Sequence, residues 1–267
     1  MENRTIKEDW YNDLLGNTSD GFVSGHATFT QKLNLKEGEH CALRFVHREE
    51  TLLIFLTIET ADATAFSNQV LQNYQFKKLQ ALFGEHLYVL AFDAADHFKM
   101  AKPGSATLDA HTSDTLEAFI AGIDPALVEN KGTYKTINRS VNDAFQAWTR
   151  THLTRNCVVN DLDALLIGKD AQTVCELKRV KAALTDWKPY LDDYHNYKSF
   201  FFIAKEFKLQ ARVIAYQANN DQAVAFHFNI QLALDQSAIT GNWILLQPRF
   251  TLFARLGFMY RSSNSRR

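Results

Sequence analysis

The feature that most restricts the fold of this chain is a pair of apolar runs joined by a tight-turn signal. Both runs lie within residues 160–180, NDLDALLIGKDAQTVCELKRV. Residues 168–170 (GKD) have the composition of a β-turn, so the segment predicts a β-hairpin. Asp163 stands directly before the first run, and Glu176 and Lys178 lie two residues apart in the second.

This hairpin would bring three charged side chains together. Side chains two residues apart on a strand share one face, so we expect Glu176 beside Lys178, with Leu177 pointing the other way into apolar packing. The turn would fold Asp163 back against them. Two carboxylates in a half-buried place repel each other unless a proton or a divalent cation joins them. Oxygen ligands favour Mg²⁺ or Mn²⁺, and a lysine there can orient or deprotonate a water.

The pattern resembles the PD-(D/E)XK nuclease superfamily, which has the restriction-endonuclease-like fold. In that superfamily an Asp opens one strand, and the next strand carries Glu-x-Lys between apolar residues. Asp163 matches the Asp and residues 176–178 match Glu-x-Lys, whereas Leu162 stands where the family has proline. The resemblance covers about residues 135–230 and leaves residues 1–130 outside it.

The resemblance implies a role for each of these residues. Asp163, Glu176 and the backbone carbonyl of Leu177 would bind the cofactor, Mg²⁺ or Mn²⁺. Lys178 would serve the attacking water. The implied reaction is hydrolysis of a phosphodiester bond.

Two further carboxylates are candidates for auxiliary roles. The family places a helix ahead of the Asp, often with an acidic residue that helps the metal; residues 140–152 predict such a helix, with Asp143 in its first turn. Asp161 competes with Asp163 as a ligand, because the two share a face if the strand starts early. We prefer Asp163, which directly precedes the apolar run, and interpret Asp161 as an outer or turn residue.

Basic residues after the hairpin are candidates for contacts with nucleic acid. Arg179 follows the Glu-x-Lys pattern, and Lys188 and Lys198 lie in or beside a predicted helix over residues 189–207. Arg179 could equally be an exposed, solvated charge, whereas for Lys188 and Lys198 the basic character of the region favours contact with nucleic acid over simple solvation. The aromatic residues among positions 187–197 fit either a stacking platform for bases or one face of a core helix, and we favour packing.

The charge of the chain changes sign near residue 131. Residues 1–130 hold 10 Lys and Arg against 19 Asp and Glu, and residues 131–267 hold 19 against 11. We therefore predict two domains: an acidic α+β domain over 1–130, for recognition, dimerisation or partner binding, and a basic α/β domain over 131–267. For the second domain the resemblance implies a mixed sheet flanked by helices. The basic half would meet a polyanion; the alternative is that the two halves cancel across an internal interface.

The apolar pattern also predicts individual elements in the first half. Residues 41–47 and 51–59 predict a strand hairpin, residues 63–83 a helix, residues 86–92 a strand, residues 96–114 a loop, and residues 113–129 one or two short helices interrupted at Pro125.

Composition excludes several other classes of protein. The chain is 46% apolar and 22% charged, which is typical of a folded protein. Its longest apolar stretch, residues 52–58, is much shorter than the roughly 20 residues of a membrane helix, and its polar start lacks a signal-peptide core. Three separated cysteines fit neither a disulfide framework nor a zinc site. We expect a cytoplasmic, intracellular protein without a membrane partner.

These expectations describe a divalent-metal-dependent DNA endonuclease of restriction, defence or repair, with RNA as an alternative substrate. Cutting both strands needs two sites, which a homodimer would supply. The alternative is a nucleic-acid-binding or protein-interaction module that has the same fold without catalysis.

Overall fold

The fold is described from a computed structural model, which covers residues 21–24, 27–131, 144–167, 172–179, 194–216, 222–227 and 249–254. These residues divide into two compact units. The first unit is residues 24–161. The second unit consists of the described residues up to 23 and from 162 onwards.

The described strands and helices follow one another along the chain. They are β1 (Phe22–Val23), α1 (Ala27–Lys32), β2 (His40–Arg48), β3 (Thr51–Glu59), α2 (Tyr74–Phe83), β4 (Leu87–Phe92), β5 (Phe98–Ala101), β6 (Asp109–His111), α3 (Ser113–Ile123), α4 (Ala144–His152), β7 (Val158–Asp161), β8 (Ala164–Ile167), β9 (Gln172–Arg179), α5 (Tyr194–Glu206), β10 (Gln210–Tyr216), β11 (Gln222–His227) and β12 (Arg249–Ala254).

The first unit is built on a sheet with the order β6-β5-β4-β3-β2-β7. Strands β3 and β4 are parallel, and the other neighbours are antiparallel. Consecutive residues of β3 such as Ile54 and Phe55 are both fully buried, so the sheet is covered on both faces, which explains its unbroken apolar runs. Phe55 packs in one core with Leu116 of α3 and with Phe145 and Trp148 of α4.

The hairpin predicted from residues 41–47 and 51–59 is confirmed as β2 and β3. The helix predicted over residues 63–83 is wrong in its first half, because α2 begins only at Tyr74. The preceding residues form two short 3₁₀ turns. The side chain of Asn73 accepts hydrogen bonds from the backbone N–H groups of Gln75 and Phe76, and such caps start a helix where they stand.

The loop predicted over residues 96–114 contains two further strands, β5 and β6. Phe98 and Met100 are each 1% exposed and add to the first unit's core. The residues that predicted a loop form turns only at the ends of strand β5. Asp96, before β5, has a φ of 58°, and Gly104, after it, has a φ of 75°. The predicted break at Pro125 is confirmed, since α3 ends at Ile123 and a 3₁₀ turn follows.

The boundary between the two compact units does not coincide with the change in charge near residue 131. Helix α4 and strand β7 lie beyond residue 131 but belong to the first unit. The reason is packing: Phe145 and Trp148 complete its core, and β7 pairs with β2 at the edge of its sheet. The observed division therefore falls after Asp161.

The second unit is built on a mixed sheet with the order β1-β8-β9-β10-β11-β12. Strands β9 and β10 are parallel, with α5 between them in the chain, and the other neighbours are antiparallel. The expected mixed α/β organisation is confirmed. An early segment also joins this sheet, since Phe22 of β1 lies opposite Leu165 of β8, although the sequence placed residues 1–130 outside this half.

Among the described helices, none combines the length and the apolar character needed to cross a lipid bilayer.

Candidate active site

The candidate site is formed where β8 begins against the middle of β9. These strands form the antiparallel pair that the sequence predicts, with Ala164 opposite Cys175. Continued by one residue, this register sets Asp163 opposite Glu176. The Oδ2 atom of Asp163 accepts a hydrogen bond of 2.7 Å from the backbone N–H of Leu177. This bond ties Asp163 to the Glu-x-Lys segment.

Glu176 and Lys178 share a face of β9, as their spacing predicts. The Nζ atom of Lys178 lies 2.8 Å from Oε1 of Glu176, and their side chains are 20% and 9% exposed. A carboxylate so far removed from water needs an opposite charge beside it, and Lys178 supplies it. Leu177 between them is 7% exposed, consistent with its expected place in the packing.

Helix α5 contributes an aromatic ring to this site. Lys178 Nζ lies 5.5 Å from the ring centroid of Tyr197, within the range of a cation–π contact. Tyr197 is 2% exposed, which agrees with our preference for packing over a base-stacking platform. Its contact with Lys178 was not foreseen, because the pairing of a helix residue with a strand residue depends on how the two elements pack.

The oxygen atoms of the candidate site are of the type that binds a hard divalent cation. Asp163 and Glu176 supply carboxylate oxygens, the ligand type that Mg²⁺ and Mn²⁺ take. The N–H of Leu177 points toward Asp163, and in an antiparallel strand the carbonyl of the same residue points to the same side. In chemical type, the residues present match the ligands of the implied metal. Among the described residues there is no group of three or more His, Cys, Asp or Glu side chains placed to hold a metal ion.

Asp161 does not lie with Asp163 on one strand. It ends β7 in the first unit, opposite Arg44 of β2, and its Oδ1 accepts a hydrogen bond of 2.9 Å from Arg44 Nε. Arg44 is 6% exposed. The early strand start that would give the two carboxylates a shared face is not observed, since residues 162–163 separate two strands that join different sheets.

The remaining candidates are less closely defined. Asp143 and Lys188 lie outside the described residues. Arg179 ends β9, where its backbone lies opposite Tyr216 of β10. Lys198 is exposed on α5.

Comparison of the chain with protein-family models, with curated proteins and with solved structures gave no match.

Proposed function

We propose that the second unit is a divalent-metal-dependent nuclease with a restriction-endonuclease-like fold, and that DNA is its substrate. The single observation that carries the proposal is the register that sets Asp163 opposite Glu176 while Lys178 contacts Glu176. The order of elements supports it, since the hairpin is followed by α5 and by β10 parallel to β9. A helix followed by a strand is what the resemblance implies after Glu-x-Lys.

Each residue has a chemical task in this proposal. Asp163, Glu176 and the carbonyl of Leu177 would hold Mg²⁺ or Mn²⁺, which would supply Lewis-acid stabilisation of negative charge on a phosphate. Lys178 would orient the attacking water through its ammonium protons. Leu177 would keep β9 in place through its buried side chain. The family implies products with 5′-phosphate and 3′-hydroxyl ends.

The test is cleavage of plasmid, linear and branched DNA, and of RNA, by the full chain with Mg²⁺, Mn²⁺ or EDTA. We expect metal-dependent cleavage that falls at least about 100-fold in each of Asp163→Asn, Glu176→Gln and Lys178→Met, since each removes several kcal/mol of charge stabilisation or water activation. Glu206→Gln and Lys205→Met change exposed residues of α5 and should keep full activity. Cleavage that survives all three site changes would contradict the assignment.

A nucleic-acid-binding module without catalysis is the second candidate. It is favoured by the direct ion pair between Lys178 and Glu176, which occupies one carboxylate with a protein cation. This candidate predicts binding of DNA or RNA that EDTA leaves unchanged, with no cleavage under any metal condition.

A further inference from the structure

The Lys178 ammonium pairs with one of the two carboxylate oxygens that Glu176 could offer to a metal ion. Its Nζ atom contacts Oε1 of Glu176 at 2.8 Å. It also lies 5.5 Å from the centre of the Tyr197 ring. The ammonium is therefore shared between a carboxylate on its own strand and an aromatic face on the neighbouring helix.

From this arrangement, and on the basis of the proposed metal site, we infer a regulatory contact between Lys178 and Glu176. Lys178 is the counter-ion of Glu176 in the metal-free protein. Tyr197 is the positioning residue that keeps the ammonium beside the site once Glu176 has become a metal ligand. Glu176 is 7% exposed, so solvent alone would neutralise its charge poorly. Lys178 performs that neutralisation, and a divalent cation must compete with it.

Replacement of the Lys178 ammonium by a divalent cation at Glu176 is favourable only if the released ammonium keeps another interaction partner. Lys178 is 20% exposed at its side chain, so full hydration is not available to it without movement away from the site. The face of the Tyr197 ring attracts a cation through its quadrupole and does so more strongly where water is partly excluded. Because this ring is already in contact with the ammonium, Lys178 can give up Glu176 without leaving the place where a water has to be oriented.

The two residues should therefore affect metal affinity in opposite directions. Removing the charge of Lys178 removes the competitor and a like charge near the metal, so Mn²⁺ should bind more tightly. Removing the Tyr197 ring takes the cation–π contact away from the displaced ammonium, so Mn²⁺ should bind more weakly.

The experiment is calorimetric titration of the full chain with Mn²⁺ alone, without nucleic acid. We expect Lys178→Met to tighten the Kd about tenfold. Lys178→Arg keeps the positive charge and therefore should not tighten it. Tyr197→Leu should weaken the Kd about threefold, whereas Tyr197→Phe, which keeps the ring, should match the wild type. Thermal unfolding without metal checks that each variant is folded. If Tyr197→Leu is not folded, Lys178→Met still tests the counter-ion role, and a Kd of Tyr197→Phe that departs from the wild type would overturn the role of the ring.

The outcomes separate this inference from the proposed nuclease. A wild-type protein that binds Mn²⁺ while Lys178→Met binds it no more tightly would overturn the inference and leave the nuclease proposal standing. Equal affinities in Tyr197→Leu and Tyr197→Phe would overturn the role of the ring. A wild-type protein that does not bind Mn²⁺ would overturn both proposals. Opposite shifts in a protein that cuts no substrate would support the counter-ion contact and contradict the nuclease.

Discussion

At the scale of single residues, Asp93 is a buried carboxylate of the first unit that several hydrogen bonds hold in place. It follows β4 and is 3% exposed. Its two oxygens accept hydrogen bonds from the backbone N–H groups of Ala63, Ala95 and His97, and the ring of His97 contacts it at 3.0 Å. Burial by itself raises the pKa of Asp93, but these hydrogen bonds outweigh it and the pKa lies below its ordinary value.

Asp93 should therefore stabilise the first unit in a pH-dependent way. A carboxyl whose pKa is lowered by folding contributes stability above its unfolded pKa of about 3.9 and loses it as the pH falls through the folded pKa. We expect Asp93→Ala to lower the free energy of unfolding by about 2 kcal/mol at pH 7, because three N–H groups lose a charged acceptor, and by less near pH 3. Urea unfolding at both pH values measures this.

Glu50→Gln is the control for Asp93, because Glu50 is exposed in the turn after β2 and its replacement should change stability little at either pH. A deficit in Asp93→Ala that stays constant from pH 7 to pH 3 would contradict the argument. Such a constant deficit would indicate lost packing instead of a lost charge.

At the scale of elements, the short connection after β7 decides which carboxylate serves which sheet. Strand β7 pairs with β2 and β8 pairs with β9, and only residues 162–163 separate the two strands. Asp161 therefore accepts a hydrogen bond from Arg44, and Asp163 accepts one from the backbone of the Glu-x-Lys segment. Two acidic residues with nearly the same sequence context have different structural partners.

Replacing Asp161 should affect stability and leave the candidate site intact. Asp161→Ala leaves the buried guanidinium of Arg44 without its Nε acceptor, and we expect a loss of about 2 kcal/mol in the free energy of unfolding. Asp161→Asn keeps an acceptor oxygen and should lose less. Chemical unfolding measures both, and titration with Mn²⁺ should give the wild-type Kd in each. Loss of Mn²⁺ binding in Asp161→Asn would instead make Asp161 a ligand.

The hairpin of β8 and β9 shows which features of the fold local sequence patterns can predict. The shared face of Glu176 and Lys178 and the pairing of β8 with β9 follow from period-two alternation and one turn signal. The start of α2 and the strand β5 were missed for a different reason. There, side-chain caps and burial against distant residues outweigh the local apolar pattern.

At the scale of the whole molecule, the charge asymmetry of the sequence does not follow the compact units. Residues 24–161 hold 13 Lys and Arg against 16 Asp and Glu, and the rest of the chain holds 16 against 14. The large imbalance between residues 1–130 and 131–267 thus becomes a small one, because the net basic residues 131–161 fall in the first unit and the net acidic residues 1–23 fall outside it. Net charge alone no longer favours a polyanion for either unit, and the proposal of a nucleic-acid partner depends on local groups.

Lys198 provides a test of that partner. If this exposed residue of α5 contacts a phosphate, the affinity for DNA should fall with salt, with a slope of about 0.9 per contact in log Kd against log salt. Lys198→Ala should reduce the slope by about 1. The control Lys36→Ala changes an exposed lysine of the first unit and should leave the slope unchanged. Binding measured by fluorescence anisotropy over a salt series decides the matter, and identical slopes in all three proteins would exclude Lys198 from the interface.

The amino-acid sequence by itself determined the strand hairpin and the sharing of one strand face by Glu176 and Lys178, because alternation and turn chemistry act over a few neighbouring residues. Three contacts were decided only by the tertiary structure. Arg44 donates a hydrogen bond to Asp161, which is 117 residues away in the sequence. Phe22 joins the second sheet, and the Tyr197 ring contacts Lys178. Such pairings depend on which surfaces are buried together when the whole chain folds. No local pattern encodes them, because each partner is equally compatible with several others until the sheets and helices have packed.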